Sequence, residues 1–285
     1  MSSYYKVSFK ELRQEGLKDV FASLEPALTK LGIDFYLIGA LARDTWFAQR
    51  KIRALGTKDV DFAVLVTDEN SYKQLKEYLI EKEGFLEVSS NEYCLIDKAG
   101  NEIDLLPFGA VEIEGKKVLD SEGLFNTGIS GFKEVYEEAI EVNFEDRHQF
   151  KVSSLAGIAI LKLIAYDDRP EIRNSDIKDI VAILNNYIEL EPELVYEKNI
   201  DLFAEGEDNL LAVSARVLGR QMQSILNRNA VLKKRIESIL EDSSQSLEKS
   251  PIGRLMISEK IESLEEAVVL IKQLLLGISE RLPAQ

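Results

Sequence analysis

The sequence predicts an α+β protein, with a mixed β-sheet flanked by helices over residues 1–150 and a mainly helical domain over residues 151–285. In the first half, short apolar runs that suit buried strands alternate with segments of helical periodicity. From Ser153 to the C-terminus, helical periodicity dominates. A chain of 285 residues is long enough for two domains of ordinary size.

The predicted elements of the first half follow from these patterns. Leucine and other apolar residues recur at helical spacing up to Leu31, and Gly32 suits a helix C-terminus. Gly39-Ala40 is a strand-to-helix turn whose N–H groups can face an anion. Asn70 or Ser71 suits the start of the third helix. The segments are a helix over about 9–31, a strand over 33–38, a helix over 41–49, a strand over 59–66, a helix to about 82, a hairpin with strands 93–96 and 102–106, a second hairpin over 111–119, and a segment over 132–138 that fits strand or helix.

The second half begins with a helix that is apolar on nearly every side. Ser153 or Ser154 suits its first position, and it runs to about Tyr166. Lys162 lies within it, and a buried lysine should meet an anion because an unpaired buried charge is costly. A loop broken by a proline follows, and Ser175 suits the start of the next helix.

Composition excludes several classes of protein. Hydrophobic residues make up 45% and charged residues 30%, as in globular proteins. No apolar run approaches the ~18–20 residues of a membrane span, and the N-terminal residues lack the apolar core of a signal peptide, so we expect a cytoplasmic protein without a membrane partner. One cysteine, Cys94, excludes an internal disulfide. The one histidine, His148, stands in a polar stretch and is interpreted as a solvated loop residue.

The net charge of −15 argues against a broad nucleic-acid surface, because such surfaces neutralise phosphates. A local basic patch is still compatible with this charge. Five basic residues crowd one segment opposed by the single acid Asp44: Arg43, Arg50, Lys51, Arg53 and Lys58. A triphosphate or an RNA end would lie along this segment, but a solvated helix face and loop give the same pattern.

Three aspartates are the candidate metal-binding residues of the sequence. Asp59 and Asp61 flank Val60, so in a strand both carboxylates point to one face, ~6–7 Å apart. They repel each other unless a cation lies between them, and Mg²⁺ favours carboxylate oxygens. Asp104, in a later apolar strand, could supply a third ligand. The alternative is that these are structural acids, since Asp-x-Asp arises by chance in a chain with 50 acidic residues.

The order of these pieces resembles the polymerase-beta-like nucleotidyltransferase superfamily: a strand with a Gly turn, a strand with Asp-x-Asp, and a later strand with one Asp. Lys162, then Asp167-Asp-Arg169, then Asp176-Ile-Lys-Asp179 narrows the resemblance to the AbiE-type toxin nucleotidyltransferases of type IV toxin–antitoxin pairs, over about residues 30–190. Two positions depart from the pattern. Ala40 replaces the second Gly or Ser, and Ala182 replaces a second acid.

The resemblance implies a transferase that moves an NMP from an NTP to an acceptor hydroxyl, on a tRNA 3′ end or a protein, with an antitoxin as partner. It implies that Asp59, Asp61 and Asp104 bind two Mg²⁺ ions and are catalytic together with Lys162. The implied nucleotide-binding residues are Gly39, Ala40, Arg43, Lys162 and Asp179. Two alternatives stay open: a binding protein of the same fold without turnover, and a small-molecule nucleotidyltransferase of the antibiotic-modifying kind, whose cationic substrate the acidic chain would attract.

Overall fold

A computed structural model describes residues 5–280 except residues 9, 13–15, 58, 110–130, 146–147, 205–208, 258 and 260. The chain divides into two compact units, unit 1 (Met1–Ser154) and unit 2 (Leu155–Gln285). The boundary predicted after residue 150 falls just before this division.

Unit 1 is built on one eight-stranded mixed sheet. Its strands are β1 (Tyr5–Val7), β2 (Asp34–Leu37), β3 (Asp59–Val66), β4 (Leu86–Val88), β5 (Asn91–Ile96), β6 (Glu102–Gly109), β7 (Ile140–Phe144) and β8 (His148–Val152). They lie in the order β1-β7-β8-β2-β3-β6-β5-β4. The pairs β1–β7, β8–β2 and β3–β6 are parallel, and the others are antiparallel. The predicted α+β class with a mixed sheet is confirmed.

Four described helices accompany the sheet: α1 (Leu17–Leu31), α2 (Gly39–Gln49), α3 (Glu69–Tyr78, continued by a π-helical turn at Leu79–Glu83) and α4 (Phe132–Tyr136). Helix α1 buries its apolar side against one face of the sheet, where the Phe21 ring lies 4.2 Å from Phe150 and 5.3 Å from Phe62, centroid to centroid. Its C-terminus is set by Gly32, whose φ of +64° allows its N–H to reach the last turn.

Helix α4 covers part of the opposite face. The Tyr36 hydroxyl donates to the Phe132 carbonyl at 2.9 Å, and the Tyr136 ring lies 5.4 Å from Phe108. Side chains alternate along a strand, so Tyr36 shares its face with Ala63 and Asp61 of the neighbouring β3. The face with the predicted aspartates is therefore opposite the one that packs on α1.

Several element boundaries differ from prediction. Helix α1 begins at Leu17, where the periodicity predicted a start near residue 9. Asp68, and neither Asn70 nor Ser71, caps α3, because its carboxylate accepts from the Ser71 N–H at 2.7 Å. Strands β1, β4, β7 and β8, which have three to five residues each, were not predicted. The ambiguous segment after residue 131 forms the short helix α4, and the predicted hairpin at 111–119 lies outside the described residues.

His148 was interpreted wrongly as a solvated loop residue. It begins β8, is half-buried, and its Nδ1 lies 2.7 Å from Glu25 Oε2 of helix α1. The strand signal is weak because only alternate residues of β8 are buried.

The regular elements described in unit 2 are all helices. Its α-helices are α5 (Leu155–Asp168), α6 (Asn174–Leu190), α7 (Asp201–Ala204), α8 (Leu210–Leu226), α9 (Ala230–Ser244), α10 (Pro251–Ile257) and α11 (Leu264–Ser279). Ser175 lies inside the first turn of α6, which begins one residue earlier, after Arg173. Helices α8 and α11 touch at Gly219 and Gly277, where a Cβ on either glycine would collide with the other helix's backbone.

The end of α11 is held by arginines of α8. Glu280 accepts from Arg216 Nη2 at 2.7 Å and from Arg220 Nε at 2.5 Å, and Arg220 also donates to Asp201 at 2.6 Å. Burial by itself would raise the pKa of the Glu280 carboxyl, but the bonds from Arg216 and Arg220 lower it. Among the described residues, no helix has both the length and the apolar character needed to cross a bilayer.

Candidate carboxylate site

The register of two parallel strands places three predicted aspartates at one end of one sheet face. Asp61 of β3 pairs with Asp104 of β6, and Asp59 pairs with Glu102. Adjacent strands lie ~4.8 Å apart, and paired side chains point to the same face. Asp59 and Glu102 are exposed, whereas Asp61 and Asp104 are half-buried. The structure therefore brings Asp59, Asp61 and Asp104 into one neighbourhood.

Gly39 lies directly against this acidic group. The Ile38 N–H donates to the Asp61 carbonyl at 3.0 Å, and helix α2 begins at the next residue. Gly39 has a φ of +68°, and a Cβ at this position would collide with the Asp61 carboxylate. The predicted strand-to-helix turn is confirmed, and it needs glycine for both reasons. Ala40 follows in the first turn and is half-buried; the nucleotide-binding role of Gly39 and Ala40 stays a prediction.

Asp104 has two neighbours on β5 that sequence reasoning missed. The Asn91 side-chain amide donates to Asp104 Oδ1 at 3.2 Å. Cys94 pairs with Asp104 across the antiparallel ladder. Burial, and next the negative charge of Asp104, raise the pKa of the Cys94 thiol to about 12. Cys94 is therefore a neutral thiol at ordinary pH in this structure.

Glu102 was also missed, although a sequence signal was present. Glu102-Ile-Asp104 has the same two-residue spacing as Asp59-Val-Asp61, so Glu102 shares the face of Asp104. Asn91 had no such signal, because it reaches Asp104 from a different strand.

The three carboxylates do not form a closed metal cage. Within the parts of the chain that the structure describes, no group of three or more His, Cys, Asp and Glu side chains is placed to hold a metal ion. Magnesium does not require such a cage, because it keeps several waters and takes one or two carboxylates plus substrate phosphates. Hard oxygen donors on one face beside a helix N-terminus fit an open magnesium site. The predicted pair of Mg²⁺ ions stays a prediction.

Arg43 is not on an open surface. It is 1% exposed, and its Nη2 and Nε lie 2.6 and 2.9 Å from Asp44 Oδ1. The other oxygen of Asp44 accepts from the Gly56 N–H at 2.8 Å. This buried pair ties helix α2 to the segment before β3, so the geometry gives Arg43 a structural role and does not support the predicted contact with nucleotide.

The remaining basic residues of this segment differ from Arg43. Arg50, Lys51 and Arg53 are exposed. Lys58 lies outside the described residues.

Lys162 and Asp179 meet each other within unit 2. Lys162 Nζ lies 2.5 Å from Asp179 Oδ2 and 2.8 Å from Asp176 Oδ1. Burial by itself would lower the pKa of the Lys162 ammonium, but Asp179 and Asp176 together raise it above its ordinary value. The prediction that the buried lysine meets an anion is confirmed, and Asp179 is one of its two partners. Asp176 was missed as a partner, and its Oδ2 is buried without a hydrogen-bond partner among the described residues.

This cluster gives Lys162 a structural role that is sufficient to explain its burial. The one ammonium and two carboxylates of this cluster sum to a net charge of −1, which does not favour a triphosphate. The nucleotide-binding role of Lys162 and Asp179 stays a prediction.

No protein-family model matches the chain, and no curated protein matches it.

Proposed function

We propose that unit 1 is a magnesium-dependent nucleotidyltransferase domain, which moves an NMP from an NTP to an acceptor hydroxyl on a tRNA 3′ end or a protein. One observation carries the proposal. The strand register pairs Asp61 with Asp104, and the Gly39 turn that opens α2 abuts Asp61. A helix N-terminus beside paired carboxylates is suited to an NTP, because the N–H groups hold phosphate and the carboxylates hold its cation.

Each group of residues in the site has its own role in the proposed reaction. Asp59, Asp61 and Asp104 would hold the metal, which when bound supplies positive charge at the attacking and leaving oxygens. The first N–H groups of α2 would hold the outer phosphates. The Asp104 carboxylate would take the proton of the acceptor hydroxyl. The acceptor oxygen then bonds to the α-phosphorus, and the bond from that phosphorus to pyrophosphate breaks.

The partner implied by the sequence resemblance, an antitoxin, and the role as a toxin rest on that resemblance alone. All residues to which the proposal gives a role in the reaction belong to unit 1. Lys162 is left out, because its charge is already neutralised by Asp176 and Asp179.

Labelling decides whether the domain is an enzyme. The purified chain is incubated with each α-labelled NTP and Mg²⁺, with total tRNA, with protein alone or with an aminoglycoside. We expect label on tRNA or protein with at least one NTP. Label on the aminoglycoside would instead support the small-molecule alternative. Binding of Mg²⁺ and NTP without any transfer would support the binding-protein alternative.

The variant Asp61→Asn separates a metal ligand from a structural acid. We expect it to abolish labelling and to leave the melting temperature unchanged or raised, because one of the repelling charges is removed. Mg²⁺ should raise the melting temperature of the wild type more than that of the variant, since a ligand bound only by the folded state stabilises it. Glu141→Gln, an exposed strand carboxylate on β7, is the control. An Asp61→Asn protein that unfolds would show that the acid is structural.

A further inference from the structure

The side chain of Asn91, at the start of β5, reaches a place where a regular strand would not put it. The ladder between β5 and β6 pairs Cys94 with Asp104. Asn91 precedes Cys94 by three residues, so in a regular strand it would lie about 10 Å further along and face the other side of the sheet. Its amide nitrogen nevertheless lies 3.2 Å from Asp104 Oδ1. Strand β5 therefore departs from regular geometry between Asn91 and Cys94.

A bulge in β5 accounts for this departure. Along β4, the step from Glu87 to Val88 moves the partner on β5 from Leu95 to Asn91. One step along β4 thus corresponds to four steps along β5. A β-bulge bends its strand and changes the direction of side chains, and bulges are frequent beside active sites. Here the bulge brings Asn91 to the candidate carboxylate site.

The backbone determines which end of the Asn91 amide faces Asp104. The Tyr93 N–H donates to Asn91 Oδ1 at 3.1 Å. Asparagine side chains in turns commonly bond to the backbone two residues further on. A reversed amide would place its NH₂ group against the Tyr93 N–H and its oxygen against the carboxylate, so that two donors and two acceptors would meet. Asn91 therefore accepts a bond within the bulge and donates one to Asp104.

An amide donor suits a carboxylate that binds a metal ion. The bond restricts the rotation of the carboxylate, and the neutral amide adds no positive charge that would compete with a cation. Carboxylates that bind metals are regularly held by such hydrogen bonds, and removal of the partner lowers metal affinity or activity by about 10–100-fold. Asn91 is half-buried, which limits the competition of water for its bond to Asp104.

We propose that Asn91 is a positioning residue of the carboxylate site, which holds the Asp104 carboxylate in the orientation that binds Mg²⁺. This inference rests on the proposed function and deepens it, because it assigns the orientation of one metal ligand to a residue outside the three aspartates. Asn91 acts through Asp104 and has no contact of its own with metal or substrate. The bulge in β5 is the feature of the fold that makes this contact possible.

The variant Asn91→Ser separates the two bonds of this side chain. A serine hydroxyl can still accept from the N–H two residues further on, but it is one bond shorter than the amide and does not reach Asp104. Asn91→Ala loses both bonds. The melting temperature of the full chain is measured against Mg²⁺ concentration, without nucleotide. We expect the Mg²⁺ concentration that gives half of the rise in melting temperature to increase by about 10–100-fold in both variants.

The control makes the same change at another strand position of unit 1. Asn143→Ser, at a half-buried position of β7, should keep the Mg²⁺ dependence of the wild type. The melting temperature without Mg²⁺ separates a positioning role from a structural one. It should stay close to the wild-type value in Asn91→Ser and fall in Asn91→Ala, which loses the bond within the bulge. If only Asn91→Ala loses affinity for Mg²⁺, the positioning proposal is overturned and Asn91 serves the bulge alone.

The outcomes also separate this inference from the proposed function. A wild type without any Mg²⁺-dependent rise in melting temperature would overturn both the magnesium site and the role of Asn91. A wild type that transfers label, with an Asn91→Ser variant of unchanged Mg²⁺ dependence, would support the transferase and overturn the role of Asn91. A wild type that transfers no label, but whose Mg²⁺ affinity falls in Asn91→Ser, would support Asn91 as a positioning residue of a magnesium site while the transferase proposal fails.

Discussion

Lys162→Met deletes the positive charge of the buried cluster in unit 2 and keeps most of the volume of the side chain. Lys162 is 7% exposed, and its ammonium contacts both Asp176 and Asp179. Removal of one partner from a buried ion pair costs about 3–5 kcal/mol, because the remaining charge stays buried without compensation. We expect the free energy of unfolding of the variant to fall by an amount in this range, and its melting temperature to fall by on the order of 10 °C.

The chain offers separate probes for its two units. Its one tryptophan, Trp46, is buried in unit 1 and donates to the Ser153 carbonyl at 2.8 Å. Trp46 fluorescence therefore follows unit 1, whereas far-UV circular dichroism is weighted towards the helices of unit 2. In urea, Lys162→Met should shift the circular dichroism transition to lower denaturant. The double variant Lys162→Met/Asp176→Asn should recover part of the lost stability, since it has one buried negative charge fewer than Lys162→Met.

The same cluster predicts a pH dependence. The pKa of Lys162 is raised in the folded chain. Its contribution to stability is therefore complete below the unfolded pKa of ~10.4 and is lost as the pH rises through the folded pKa. The stability difference between wild type and Lys162→Met should narrow above about pH 10.5. An unchanged unfolding transition at pH 7 would refute the ion-pair argument. A fall in turnover of about 10² or more without loss of stability would favour a catalytic lysine instead.

Two further predictions concern other residues. Gly39→Ala should lower the free energy of unfolding by about 1–3 kcal/mol and abolish the Mg²⁺-dependent rise in melting temperature, because the new Cβ meets Asp61. The control is Gly32→Ala, which has a similar φ and no atom within 4 Å of the added Cβ, and it should retain the rise. An equal loss of the Mg²⁺-dependent rise in both variants would contradict a specific collision with Asp61. Because the pKa of Glu280 is lowered in the folded chain, its stabilising contribution is present above the unfolded pKa of ~4.3 and is lost as the pH falls through the folded pKa. Glu280→Gln should therefore lower the melting temperature by several degrees at pH 7 and flatten its decline on acidification, which calorimetry across pH 3–7 would measure; a decline as steep as that of the wild type would disprove the assignment.

The parts of the site that the sequence predicts are those with a strong local signal. Strand β3 runs from Asp59 to Val66 as predicted, because its core-facing positions are uniformly apolar and its acids stand at one end. The hairpin of β5 and β6 is likewise confirmed, since its turn residues separate two apolar runs. The two-residue period of side chains along a strand is enough to predict that Asp59 and Asp61 lie on the same face.

The partners of buried charges could not be predicted in this way. Arg43 and Asp44 are neighbours in a helix, and adjacent helical positions do not normally face each other. Their ion pair depends on the returning segment at Gly56, whose position is a tertiary feature. The same holds for Asp176, which meets Lys162 only through the packing of two helices.

The order of strands also has a consequence for synthesis of the chain. Strand β2 pairs with β8 on one side, and about 110 residues separate Leu37 from His148. At 5–20 residues per second, the ribosome needs about 6–22 s to make that interval. Until then the β8-facing edge of β2 has no strand to pair with, and unpaired strand edges invite association with other chains. Nascent chains that end before residue 148 should therefore depend on chaperones and aggregate more readily than those that extend beyond Val152.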